Sequence, residues 1–337
     1  MKNNKVIIIA EAGVNHNQNI NIAYKLIREA KKSGADYIKF QTFISENLVS
    51  KTAKLAKYQK INIKKSISQL EMLKELELPY SWHAKLINYS NKIGIKFLST
   101  PFDIESVNFL KKFTLDYIKI PSGEINNYLY LKFIGKLNKK IILSTGMSTL
   151  REIKQAVELL RKQGTLKKNI TVLHCNTEYP TPFCDANIKA MLDIKKFLNN
   201  IRVGYSDHTI SIEASLAAVA LGAAIIEKHF TLNKKFIGPD HKASLEPKEF
   251  KELVLKIRNI EKALGDGKKK ISKSEKKNLK IARKSIFVLK DIKKGERYSL
   301  QNLTTKRPGT GISPMKIKYI IGKKSKKSHF KDSILKI

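Results

Sequence analysis

Arginine is scarce in this chain. Of 66 basic residues only 8 are arginine and 58 are lysine, against 29 acidic residues, and the formal net charge is +37. A chain this basic invites a nucleic-acid partner. Specific base reading, however, leans on arginine's planar fork, and the lysines are spread over the whole length. Lysine, asparagine and isoleucine are abundant together, as an AT-rich coding sequence produces. The composition argues against specific nucleic-acid recognition and for a lysine-coated enzyme that attracts anions nonspecifically. Cysteine is nearly absent as well. Cys175 and Cys184 form no Cys-x-x-Cys, which excludes a disulfide scaffold and makes a reducing cytoplasm the expected compartment. No window reaches the roughly 18 apolar residues of a membrane span. The apolar run in MKNNKVIIIAEAG is too short for a signal peptide.

What is present is enough apolar residue, 42% of 337, for a large buried core. The length exceeds one ordinary domain and suits one large α/β barrel plus something small. Eight short apolar runs end in polar residues: 5–13, 37–43, 96–102, 117–124, 140–146, 170–179, 203–208 and 223–230. Continuous apolar runs mark strands buried on both faces of a parallel sheet. Between most of them lie helical stretches. NIAYKLIREAKKSG and TLREIKQAVELLRKQG repeat every 3.6 residues and end at glycine. The small-residue run 214–226 fits a buried helix leading into a strand. Eight β–α units predict an α/β fold, a (β/α)8 TIM barrel over residues 1–265. A lysine-rich linker follows at 266–282. Short β-runs with turns at KKGE and RPGTG then predict a small β-rich domain over 283–337.

In such a barrel the carboxyl ends of the strands carry the chemistry. The polar residues there are Glu11; Lys39 and Gln41; Ser99 and Thr100; Lys119, Ser122 and Glu124; Ser144 and Thr145; His174, Asn176, Thr177, Glu178 and Tyr179; Ser206, Asp207 and His208; Glu227, Lys228 and His229. Lys39 in YIKF and Lys119 in YIKI each interrupt an apolar strand, where a charge is costly unless paired. Two such lysines among hydroxyls fit a dianionic ligand bearing phosphate and carboxylate. A salt-bridged structural lysine and a Schiff-base lysine are the alternatives. His208 and His229 close adjacent strands among carboxylates. Beside the plain alternative of core histidines, two imidazoles plus oxygen ligands suit Mn²⁺, Fe²⁺, Co²⁺ or Zn²⁺.

The motifs AEAGVNHN, IKFQTF, STPFD, KIPSGE, ILSTGM, LHCNTEYPTPF, GYSDHT, EKHFTL, GPDHKASLEP and TTKRPGTGISPM run in order through roughly residues 5–325. On them the chain resembles the sialic acid synthase family, in particular bacterial N-acetylneuraminate and N,N'-diacetyllegionaminate synthases. The resemblance implies a barrel followed by an antifreeze-like (SAF) domain, in a domain-swapped homodimer. It implies condensation of phosphoenolpyruvate with an N-acyl-mannosamine-type aldehyde, giving a nine-carbon 2-keto acid and phosphate. A divalent metal is implied, Mn²⁺ first and Mg²⁺ or Co²⁺ after it, on His208 and His229. Lys119, Ser122 and Ser144 match phosphate contacts, and Lys39, Thr100 and Ser206 match carboxylate contacts. Glu11, Gln41, Tyr179 and Asp240 match the sugar site, Glu124 the acid/base position, and Arg307 an arginine reaching the sugar from the other subunit. Glu124, Glu11, Lys39 and Arg307 are thus the catalytic candidates.

Two departures stand out. Some relatives place a phosphate-binding asparagine where this chain has Thr177, one position after Asn176, so either residue is a candidate for the phosphate. Many also carry serine where it has Ile237. N-acetylmannosamine is the expected acceptor, with 2,4-diacetamido-2,4,6-trideoxymannose as the alternative. A Schiff-base aldolase and a non-catalytic anion-binding barrel are the remoter rivals.

Overall fold

The chain, described here from a computed structural model over residues 5–63 and 67–337, divides into two compact units, Met1–Asp266 and Gly267–Ile337. In the first, every expected strand forms: β1 (Ile7–Gly13), β2 (Tyr37–Thr42), β3 (Lys96–Pro101), β4 (Ile118–Ile120), β5 (Ile141–Ser144), β6 (Ile170–His174), β7 (Arg202–Asp207) and β8 (Ile225–His229). They pair in parallel in the order β3-β2-β1-β8-β7-β6-β5-β4, and β3 lies beside β4 to complete a ring. This is the expected (β/α)8 barrel. Several strands stop short of their apolar runs, because the polar residues that follow leave the ladder to form the mouth.

The helices between strands begin and end where local chemistry dictates. Asn19 caps Ile20–Lys32 by accepting from the backbone of Asn21 and Ile22, and the helix buries Ala23, Leu26, Ile27 and Ala30. Thr149 and Glu152 form a reciprocal capping box on Leu150–Lys162, satisfying two otherwise free N–H groups.

Inside the ring the side chains obey a period of two. Ile9, Tyr37, Leu98, Tyr117, Ile142, Leu173 and Ile225 form one buried apolar cluster, the floor. Each such side chain, fully buried, contributes roughly 1.5–3 kcal/mol. Two residues further along the same strands stand Glu11, Lys39, Thr100, Lys119, Ser144, Cys175 and Glu227, all buried. On β7 the floor position is Gly204. A Cβ there would lie 2.5 Å from the Ile225 carbonyl oxygen and 2.7 Å from Leu173 Cδ2, so no larger residue fits.

The barrel carries one excursion that nothing in the periodicity announced. Between β2 and the helix Tyr80–Ile93, the chain forms short helices at Ser45–Leu48, Lys57–Ile63 and Gln69–Lys74. They gather Leu55, Ile63, Met72 and Leu76 onto Val14 and Phe43 at the ends of β1 and β2. Among the described residues no helix is long and apolar enough to cross a membrane.

The second unit holds the helix Lys276–Ala282, within the stretch expected as linker, and an antiparallel pair, β9 (Ser285–Val288) and β10 (Leu303–Lys306). Its core is Ile286, Val288, Ile292, Tyr298, Leu303, Ile320 and Leu335. The Tyr298 hydroxyl is satisfied by Ser325 Oγ at 2.9 Å and His329 Nε2 at 3.0 Å. The small β-rich domain expected from the sequence is therefore present.

Candidate active site

A cavity of about 170 Å³ opens at the carboxyl ends of the strands, above the apolar floor. It brings together Glu11, Lys39, Gln41, Thr100, Lys119, Ser122, Ser144, Thr177, Tyr179, Ser206, His208 and His229. These come from all eight strands or the segments that directly follow them. Asn176 is not among them. Its side-chain oxygen accepts from the Glu178 N–H at 2.7 Å, turned into its own loop, so Thr177 is the one that faces the cavity. Asp240 and Glu124 line an adjoining cavity of about 300 Å³, which shares Gln41, Tyr179 and His229 with the first. Arg307 belongs to the second unit, exposed just after β10.

Strand register assembles the charges. Glu11 on β1 is the partner of Lys39 on β2, and their side chains meet at 2.6 Å. Lys39 also donates to Thr100 Oγ1 at 2.6 Å. Ser206 on β7 is the partner of Glu227 on β8 and donates to it at 3.0 Å. Glu227 accepts from Lys119 at 3.1 Å and lies 3.7 Å from Lys39, so one carboxylate sits between two lysines. Burial alone would raise the Glu227 pKa, but Lys119 and Lys39 outweigh it and hold Glu227 below the usual range. Burial pushes Glu11 up to about 7 despite Lys39. Burial also lowers Lys119. In Lys39 the same penalty is overcome by Glu11 and Glu227, and its pKa is raised.

Glu227 and Cys175 had no role assigned from sequence, yet both line the cavity. Cys175 Sγ lies 3.3 Å from Ser122 Oγ, which itself accepts from the Gly146 N–H at 2.9 Å. The signal for Glu227 was available: it stands two residues before His229 and therefore on the same face of β8.

His208 and His229 face each other with ring centroids 5.4 Å apart, and Tyr179 packs on His208 at 4.1 Å. Burial lowers the His208 pKa to about 4 and that of His229 well below normal, so both rings are neutral, the form that binds metal. His208 Nδ1 bonds to the Asn176 carbonyl, a contact that fixes the tautomer and directs the Nε2 lone pair toward the cavity. His229 Nδ1 is buried without a hydrogen-bond partner; Asp240 Oδ2 at 3.9 Å is too far. Among the described residues no group of three or more His, Cys, Asp or Glu side chains is spaced to enclose a metal. The histidine pair with its free ring nitrogen nonetheless fits a divalent cation whose other positions are left to substrate or water.

Comparison with known proteins supplies the family. The NeuB family profile matches residues 26–269. The chain belongs to the NeuB family. The SAF domain profile matches residues 283–336, the second unit's β-rich part. Over 332 residues, 98% of this chain and 99% of the relative, the chain is 56% identical to the N,N'-diacetyllegionaminic acid synthase of Campylobacter jejuni. The protein of the same name from Legionella pneumophila is 44% identical, over 94% of this chain and 89% of that one. The crystal structure of the N-acetylneuraminic acid (sialic acid) synthetase from Leptospira borgpetersenii superposes with a TM-score of 0.73 at 36% identity, covering 82% of this chain and 90% of that one. This NeuB-family chain is accordingly an enzyme of the synthase type.

Proposed function

We propose that this enzyme condenses phosphoenolpyruvate with 2,4-diacetamido-2,4,6-trideoxymannose, giving N,N'-diacetyllegionaminic acid and phosphate. The observation that carries the reaction is the cavity itself, with two buried lysines, a ring of hydroxyls and a neutral histidine pair on one side of an apolar floor. The acceptor rests on the two relatives named for legionaminic acid, at 56 and 44% identity. They move the alternative acceptor ahead of N-acetylmannosamine, which stands second on the likeness to the Leptospira structure.

Lys119 with Ser122 and Ser144 takes the phosphate, and Lys39 with Thr100 and Ser206 takes the carboxylate. Ser144 Oγ is buried without a partner, as a donor reserved for a ligand would be. Glu11, whose pKa burial raises to about 7 even beside Lys39, lines the sugar's side of the site with Gln41. His208 and His229 would hold the divalent cation, Mn²⁺ before Mg²⁺ or Co²⁺, which when bound would supply Lewis-acid polarisation of the acceptor's aldehyde. The enol carbon bonds to the aldehyde carbon, water adds at C2, and the C2–O bond to phosphate breaks. Burial raises the pKa of Glu124, which suits it to accept the proton of that water. Lys119 and its hydroxyls stabilise the departing phosphate. Arg307 contacts the acceptor's acyl group from the partner of a domain-swapped homodimer. The setting is the cytoplasm, in keeping with the two free cysteines.

The experiment is phosphate release from phosphoenolpyruvate with Mn²⁺ and each sugar in turn, with mass spectrometry of the nine-carbon product. Faster turnover of the diacetamido sugar is expected; no phosphate release with either sugar refutes the synthase. Borohydride trapping with pyruvate separates a Schiff-base aldolase, for which a lysine adduct would form.

A further inference from the structure

The two joined cavities have unlike linings. The inner one is walled by charges and hydroxyls. The outer one adds Val14, Phe43, Val49, Met72, Leu73 and Leu76, most of them part of the apolar cluster built by the excursion after β2. An open-chain acceptor must place C1 beside the shared residues Gln41, Tyr179 and His229 to meet a nucleophile in the inner cavity. Its C4–C6 end then extends into the part of the outer cavity that is not shared. A methyl group there gains contact with carbon. A hydroxymethyl group against Val49, Met72 and Leu73 loses water without a partner there, the polar side chains of the unshared lining being Tyr58, Gln59, Gln69, Glu124 and Asp240.

From this we infer that Val49, Met72 and Leu73 form a specificity wall that selects a 6-deoxy acceptor over a 6-hydroxy acceptor. The inference rests on the acceptor site proposed above, and it adds the surface that discriminates. A hydrophobic wall rejects an added hydroxyl only modestly, so the preference is about 10- to 100-fold. The wall lies on the excursion and not on the strands, so it can vary without touching the charged inner cavity.

The test uses non-reacting open-chain probes, the alditols of 2,4-diacetamido-2,4,6-trideoxymannose and of N-acetylmannosamine. Their binding to the full-length enzyme with phosphoenolpyruvate and Mn²⁺ is measured by calorimetry. The parent should favour the 6-deoxy alditol about 10- to 100-fold. Val49→Thr, which keeps the shape and adds a hydroxyl, and Met72→Gln should each shrink that preference at least about threefold, while urea midpoints show them folded. Equal binding of both alditols by the parent overturns the wall. So does an undiminished preference in both folded variants. If the preference exists and falls in the variants but the aldehydes release no phosphate, the wall stands and the synthase reading fails.

Discussion

Lys228 holds the carboxylate of Asp207 at 3.1 Å, and neither side chain is exposed to solvent. The two are register partners on β8 and β7, facing the helix layer and not the cavity. Lys228 also donates to the Thr209 carbonyl at 2.5 Å, and Asp207 accepts from Ser215 at 2.6 Å and from the Thr209 N–H at 2.9 Å. Each member of the pair immediately precedes a site histidine. The outer face of the barrel wall thus fastens together the two strands whose ends present His208 and His229.

Removing only the lysine strands a buried carboxylate. Lys228→Met should cost about 3–5 kcal/mol of stability, read from urea denaturation. Adding Asp207→Asn to that variant should restore part of the loss, because no charge is then left unpaired. A single variant as stable as the parent would show the pair to be dispensable.

Lys119→Met should raise the phosphoenolpyruvate KM about tenfold or more and leave the sugar KM near its parent value. The lost contact is a charge-assisted hydrogen bond of about 1.5–3 kcal/mol. Unchanged phosphoenolpyruvate kinetics would leave Lys119 as a purely structural partner of Glu227.

His208→Ala and His229→Ala should each lose bound Mn²⁺, measured by metal analysis after dialysis, and lose most turnover while staying folded. Chelation of the parent should do the same, and re-addition of Mn²⁺ should restore activity in the parent alone. Full metal content in either variant would dismiss the shared site.

Three buried histidines outside the charged cavity make the fold acid-sensitive. Burial lowers the pKa of His16, His83 and His241 from 6.5 to about 4. Between those values the unfolded chain takes up protons that the folded chain refuses. Their contribution is therefore complete above pH 6.5, declines as pH falls toward 4 and levels off below it, on the order of 3 kcal/mol per ring. Urea midpoints should drop between pH 7 and 5, and His83→Gln should flatten that slope by one ring's share, with the buried His208 and His229 adding theirs. A midpoint independent of pH over this range would contradict the assignment.

Arg307→Ala chains mixed with His208→Ala chains should regain activity if the arginine serves its partner's barrel, since a mixed dimer then holds one site with both residues intact. Subunit exchange that is demonstrated by mass and restores nothing would confine Arg307 to its own chain.

Much of the barrel was legible because its signals are local. Lys39 and Lys119 interrupt apolar strands, and in a wall buried on both sides such a charge must face something. His208 and His229 end their runs at the mouth. Glu227 is legible only through its alternation with His229, because Lys228 between them is equally polar and composition alone does not say which of the three points inward. Thr177 and Asn176 lie beyond the ladder, where the loop's own hydrogen bonds decide direction. Val49 and Met72 were invisible for another reason. They sit on or beside helices of four to six residues, too short to show a period, and only tertiary packing brings them to the site.

The alternation on β8 has a consequence for how such a chain can change over generations. Glu227 and His229 serve one face and Lys228 the other, so a single-residue insertion or deletion within this strand would swap their duties. The histidine would enter the helix layer, and the lysine would enter the cavity as a third cation. A substitution there alters one face of the strand, whereas a changed length inverts both. Differences in length among descendants should therefore collect in the excursion and in the segment after His229, leaving the strand's residue count fixed while substrate preference drifts.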